Sequence, residues 1–123
     1  MREITSKYLY IADLLLMPGY LGLSVNHAFS FATPVVSFEQ GEKGPFHGPE
    51  VEYVKNKLTG YLAKNYDVGD LCDFVIELYK NKSLQIEMKK EINYCVENRC
   101  NINNMANGFV NAINYVTLNN QTT

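Results

Sequence analysis

Nowhere in this 123-residue chain is there an apolar run approaching the roughly 20 residues that cross a bilayer. The N-terminal MREITSKYLY mixes charges instead of presenting a signal-peptide core, so the chain reads as soluble and cytoplasmic. With a net charge of −2, the Lys and Arg residues are too dispersed for the continuous basic footprint that nucleic acid needs. Nucleic acid is excluded as a partner. Cysteine is scarce too. Cys72, Cys95 and Cys100 are odd in number, lack a CxxC spacing and have no histidine close by in sequence, which argues against a disulfide framework and against a zinc site. Internal repeats and low-complexity linkers are missing, as are the clustered acidic residues of a receiver-like phosphorylation domain, and only the tail TLNNQTT is polar enough to fray. What remains is one domain, residues 1–123, with enough chain for a single core but little for an enzyme that grips two substrates.

What is present alternates. ADLLLM and PVVSF are short apolar runs suited to strands buried on both faces of a parallel sheet, and between them Val25, Ala28, Phe29 and Ala32 fall on one face of a helix. Leu23 and His27 share a different face of that helix. Strand, helix, strand in this order is a βαβ crossover. EQGEKGPFHG then forms a glycine-bearing loop, and PEVEYVKN starts a helix with Pro49 at its first position and Glu50 at its positive end. TGYLAK reads as a strand. DVGDLCDFVIELYKN reads as a helix capped by Asp67, with Val68, Leu71, Cys72, Val75 and Tyr79 as its buried stripe. Two more helices follow, one opening on Ser83 and one carrying Met105, Phe109, Ala112, Ile113 and Val116 at helical spacing. The fold class is α/β, with helices concentrated in the second half.

In an open α/β sheet, ligands sit beyond the carboxyl ends of the strands, and PGYLGLS occupies such a place. The first-turn amides at Gly22, Leu23 and Ser24 offer an anion site, most simply for a diphosphate, and Gly22 lets a ligand come close. On composition alone, a tight turn that binds nothing is the better explanation of Gly19 and Gly22, since many such loops hold no ligand. Glu50 suits a helix cap. Tyr8, Tyr10 and Tyr20 offer rings for stacking a base, or simply a polar-tipped surface.

Four ordered blocks, MPGYLGLSVNHAFSFATPVV, GPEVEYVKNKLTGYL, DVGDLCDFVIELYKN and NMANGFVNAINYV, carry a resemblance. From Ala12 to about Tyr115 the chain resembles the C-terminal half of family 4 retaining glycosyltransferases with the GT-B architecture. The resemblance implies a Rossmann-like parallel sheet flanked by helices. It also implies a donor-binding domain that serves transfer of a sugar from a nucleotide-diphosphate donor with retention, as in polysaccharide biosynthesis. The donor is then a substrate, and neither a metal nor another cofactor is implied. Carried over by position, donor contacts fall on Gly19, Tyr20, Leu21, Gly22, Leu23 and Ser24, with His27 toward the ribose, and His47 and Glu50 in the loop that closes near the donor. The family's two glutamates are replaced by Gly19 and His27. No catalytic residue is therefore assigned, and the competing reading is a non-catalytic nucleotide-binding or protein-interaction module derived from that fold. The acceptor-binding N-terminal domain of such enzymes has no counterpart in these residues. It is expected as a covalent neighbour or a partner chain, and any peripheral membrane contact would go through it.

Overall fold

A computed structural model describes residues 2–119. The elements run α1 (Arg2–Ile11), β1 (Leu15–Leu16), α2 (Ser24–Phe29), β2 (Val35–Phe38), a 3-10 segment (Pro49–Tyr53), β3 (Gly60–Ala63), a short 3-10 turn (Lys64–Tyr66), α3 (Val68–Lys80), α4 (Lys82–Asn98) and α5 (Ile102–Asn119). The protein is α/β. Its three strands are parallel in the order β1-β2-β3, with Leu15 opposite Val35 and Val35 opposite Gly60.

β2 holds the sheet together because all four of its residues are buried, as expected of a central parallel strand covered on both faces. Its pleat separates two cores. Val35 joins Leu9, Leu21, Val25, Phe29 and Ile92 on one face, and Val36 and Phe38 join Leu71, Phe74, Leu78 and Met88 on the other. α4 serves both faces, giving Met88 to one and Ile92 and Cys95 to the other. β3 lies so close to β2 that a Cβ at Gly60 would stand 2.1 Å from the Val35 carbonyl oxygen. Only glycine fits there.

Several local expectations are corrected. β1 is a two-residue edge strand with Leu16 exposed, not a strand buried on both faces, and Pro18 just beyond it has no N–H to continue a ladder. α2 is one and a half turns long. Ala32 lies outside it at φ 53°, in a closing turn where the Thr33 N–H returns to the Ala28 carbonyl. The segment at Pro49 is five residues of 3-10 helix, not a full helix. α3 does open on Asp67, whose carboxylate accepts from the Asp70 N–H at 3.0 Å, but its buried stripe is Leu71, Phe74 and Leu78. Val68, Cys72 and Tyr79 are exposed. α4 opens on Asn81 in place of Ser83, because the Asn81 side chain caps the Leu84 N–H at 3.0 Å. α1 was not foreseen. It is tied down by buried Leu9, whose carbonyl accepts from the Thr33 hydroxyl at 2.9 Å. Of the tail TLNNQTT, Thr117 and Leu118 stand in the last turn of α5, and 120–123 lie outside the described residues.

Candidate functional site

The loops that leave β1 and β2 meet at the carboxyl end of the sheet, and His47 fastens them. Its Nδ1 accepts from the Leu21 N–H at 3.1 Å, and its Nε2 stands 2.8 Å from the Phe38 carbonyl oxygen. A neutral ring that accepts at Nδ1 carries its proton on Nε2, so Nε2–H donates to Phe38. The Gly48 N–H completes the clasp by donating to the Leu21 carbonyl at 2.7 Å. Leu21 itself is fully buried, so its backbone groups need these partners.

The clasp reshapes the expected anion site. The Leu21 amide is occupied by His47, whereas the amides of Gly22, Leu23 and Ser24 show no hydrogen bond among the described residues. The Ser24 hydroxyl turns back to Met17 Sδ at 3.6 Å. Gly22 and Gly48 pack against each other under the Tyr20 ring: a Cβ on Gly22 would stand 2.8 Å from the ring edge, and one on Gly48 would stand 3.0 Å from the Tyr20 hydroxyl oxygen. The ring thus covers the place where a ligand would approach Gly22. Gly19 is exposed, and nothing lies within 4 Å of the position a Cβ there would take.

Beside this clasp, a cleft of about 510 Å³ opens between the start of α2, the 3-10 segment and the junction of α4 with α5. That volume is in the range of small-ligand sites. Two of the residues expected from sequence line it, Leu23 and Glu50, together with Asn26, Tyr53, Arg99, Cys100 and Met105. The Glu50 carboxylate folds back over Gly48, with Oε2 2.6 Å from where a Gly48 Cβ would lie. Arg99 supplies a positive charge at the other wall. Asn26 Oδ1, enclosed and without a hydrogen-bond partner among the described residues, is an acceptor still to be satisfied.

The far wall is chemically distinct. Cys95 and Cys100 bring their sulfurs to 3.3 Å at the end of α4. Burial, reinforced by the Cys95 thiol, pushes the Cys100 thiol up to about 12 from the ordinary 9.0. Burial also raises the neighbouring Tyr53 phenol, with the cysteine sulfurs adding to the effect. These groups therefore stay protonated and neutral at physiological pH. At a distance from the cleft, the Tyr61 phenol is raised by its 2.8 Å hydrogen bond to the Asp70 carboxylate and then by burial.

His27 does not join the others. Its Nε2 lies 3.3 Å from Ser6 Oγ of α1 and its ring packs on Phe31 at 5.8 Å between centroids, so the group that the resemblance directs at ribose is engaged by α1. His47 opens on its other side to a separate hollow of about 340 Å³ with Glu39, Gln40 and Glu52. Tyr8 and Tyr10 stand on α1, and Tyr20 stands over the two glycines. Among the described residues, no group of three or more His, Cys, Asp or Glu side chains is arranged to hold a metal, and no helix is long and apolar enough to cross a membrane.

No protein-family model, curated protein or solved structure matches this chain.

Asn26, Tyr53 and Arg99 were missed from sequence. Asn26 follows Leu23 by one helical turn and was legible as a neighbour on the same face. Arg99 and Tyr53 reach the cleft only through tertiary packing, which no local pattern announces.

Proposed function

We propose that this chain is the donor-binding domain of a retaining glycosyltransferase of the GT-B type, with a Rossmann-like sheet, holding a nucleotide-diphosphate sugar in the 510 Å³ cleft. The observation that carries the reading is the position of this cleft. It lies between the start of α2 and the 3-10 segment, the elements that follow β1 and β2, as ligand sites of open parallel sheets do, and it combines the Leu23 corner of α2, a cation at Arg99 and a carboxylate at Glu50.

In this reading the diphosphate meets the amides of Leu23 and Ser24 and the Arg99 guanidinium, which binds phosphate through planar paired donors. Leu21 is not a contact, since its N–H is spent on His47. His47 acts as the clamp that sets the loop geometry. Glu50 is the one carboxylate lining the cleft, so hydroxyls of the sugar or ribose have an acceptor there. Gly22 becomes accessible only when the Tyr20 ring swings aside. Sugar transfer also requires an acceptor-binding domain, covalently joined or separate, and the reading implies a cytoplasmic protein with reduced thiols.

The second reading, a module that binds nucleotide or protein without catalysis, is favoured by Gly19, which leaves no carboxylate at the turn. Calorimetry with UDP and GDP, with and without a chelator, tests the proposal. Weak binding that persists in chelator supports a donor site built on amides and Arg99. Absence of binding to either nucleotide rejects the donor-site reading.

A further inference from the structure

The far wall of the cleft holds a chemistry that sugar transfer does not use. Cys95 is buried in the last turn of α4, and Cys100 lies half-buried at the cleft wall, just before α5 begins. The N–H groups of Arg99 and Cys100 both donate to the Cys95 carbonyl, at 2.8 and 2.9 Å. The chain therefore folds back over Cys95 and brings the two sulfurs to 3.3 Å. A disulfide bond needs roughly 2.05 Å. Little closure is left to make. The corner is fastened beyond the pair as well, because the Asn101 amide donates to the Glu97 carbonyl at 2.7 Å and the Asn104 N–H donates to Asn101 Oδ1 at 2.9 Å.

We infer that Cys95 and Cys100 form a thiol–disulfide exchange site, oxidised by a low-molecular-weight disulfide that enters through the cleft. The order of events follows from burial. Cys100 meets the incoming disulfide because it lines the cleft, where Arg99 offers a cation to an anionic one, whereas Cys95 is only 5% exposed and stands behind it. Cys100 gives its proton to solvent, and its sulfur attacks one sulfur of RSSR, forming Cys100–S–SR and releasing RS−. Cys95 then loses its proton, attacks Cys100 Sγ and expels the second RS−. The two protein thiols lose two electrons, and RSSR takes them up with the two protons to leave as two RSH.

The bond ties the end of α4 to the entry of α5 and removes the thiol from the cleft wall. It closes a very short loop, which removes little chain entropy, so it suits a reversible link better than a permanent staple. Burial and the Cys95 thiol hold Cys100 up at about 12 against the pull of Arg99. Exchange is accordingly slow near neutral pH, and the pair answers sustained oxidation instead of a brief pulse.

Incubation of the full chain with glutathione disulfide, followed by intact-mass measurement and peptide mapping, tests this. The expected product is a Cys95–Cys100 link within one chain, with both thiol hydrogens lost and recovered in excess reduced glutathione. Exposed Cys72, which does not line the cleft, should carry only a glutathione adduct. Cys95→Ala should trap the adduct on Cys100, and Cys100→Ser should leave Cys95 unmodified. Free thiols at Cys95 and Cys100 long after Cys72 is fully modified would overturn the inference. An adduct on Cys95 in Cys100→Ser would overturn it too, since the buried thiol would then be reached without the cleft residue.

Discussion

Replacing His47 with alanine removes both ends of the clasp that ties the β1 and β2 loops, and its cost follows from burial. The Leu21 residue is fully buried, so its N–H, now 3.1 Å from His47 Nδ1, would be left without a partner. A buried orphaned donor costs about 1–3 kcal/mol. The Phe38 carbonyl loses its 2.8 Å donor as well, but the imidazole it loses lines the hollow of about 340 Å³, from which water can take its place. That end costs less, about 0.5–1.5 kcal/mol. Together the two effects amount to about 1.5–4.5 kcal/mol, a large part of the roughly 5–15 kcal/mol typical of a domain. Equilibrium urea unfolding reads this as a lower midpoint at unchanged slope. His47→Gln, which keeps a donor and an acceptor on a more flexible stem, should fall between the two. A His47→Ala midpoint within about 0.5 kcal/mol of the parent would refute the clasp, because changes of that size are typical of surface positions that hold nothing.

Other outcomes follow from the same contacts. Because burial holds Cys100 neutral up to about 12, its contribution to stability is present below about pH 9 and is lost as pH rises from there toward 12. Mass-resolved alkylation near neutral pH should accordingly modify exposed Cys72 well before Cys100, and equal rates would contradict a buried, protonated Cys100. Ser37 is fully buried in β2 with no partner for its hydroxyl among the described residues, so Ser37→Ala should raise stability by about 1 kcal/mol, and a clear loss would reveal a partner. Tyr20→Ala uncovers Gly22 and removes the need to displace a side chain, a cost of about 0.5–1.5 kcal/mol, so affinity for inorganic pyrophosphate should rise roughly two- to twelvefold. Weaker binding in that variant would mean that the ring grips the ligand.

The parts legible in the sequence were those decided locally. Asp67 announces α3 because capping needs only a side chain three residues from an amide. The run PVVSF announces a central strand because residues buried on both faces leave no polar position. The stripe of α3 was misread for a physical reason: Val68, Leu71, Cys72, Phe74, Val75, Ile76, Leu78 and Tyr79 cover more than half of the helix circumference, wider than one buried stripe, so two adjoining faces satisfy the period. The Phe74 ring, stacked on Tyr61 at 4.4 Å, shows which face packs. α1 escaped notice because only Leu9 of its apolar residues is buried, too little to make a pattern.

At the site, the glycine turn was visible and its surroundings were not. The bond between Leu21 and His47 spans 26 residues, and it turned an expected phosphate donor into a structural one. Likewise His27 shares a helix with Ser24 but is claimed by Ser6 and Phe31. Sequence position put these groups near the turn. Long-range packing decided which of them face the cleft.

The most direct test of the donor-site proposal is an amide-resolved NMR titration of the full chain with UDP and GDP in the presence of a chelator. The account predicts saturable shifts at Leu23, Ser24, Glu50 and Arg99, with His27 unmoved. Cleft amides that stay still, or shifts that require a divalent metal, would contradict it.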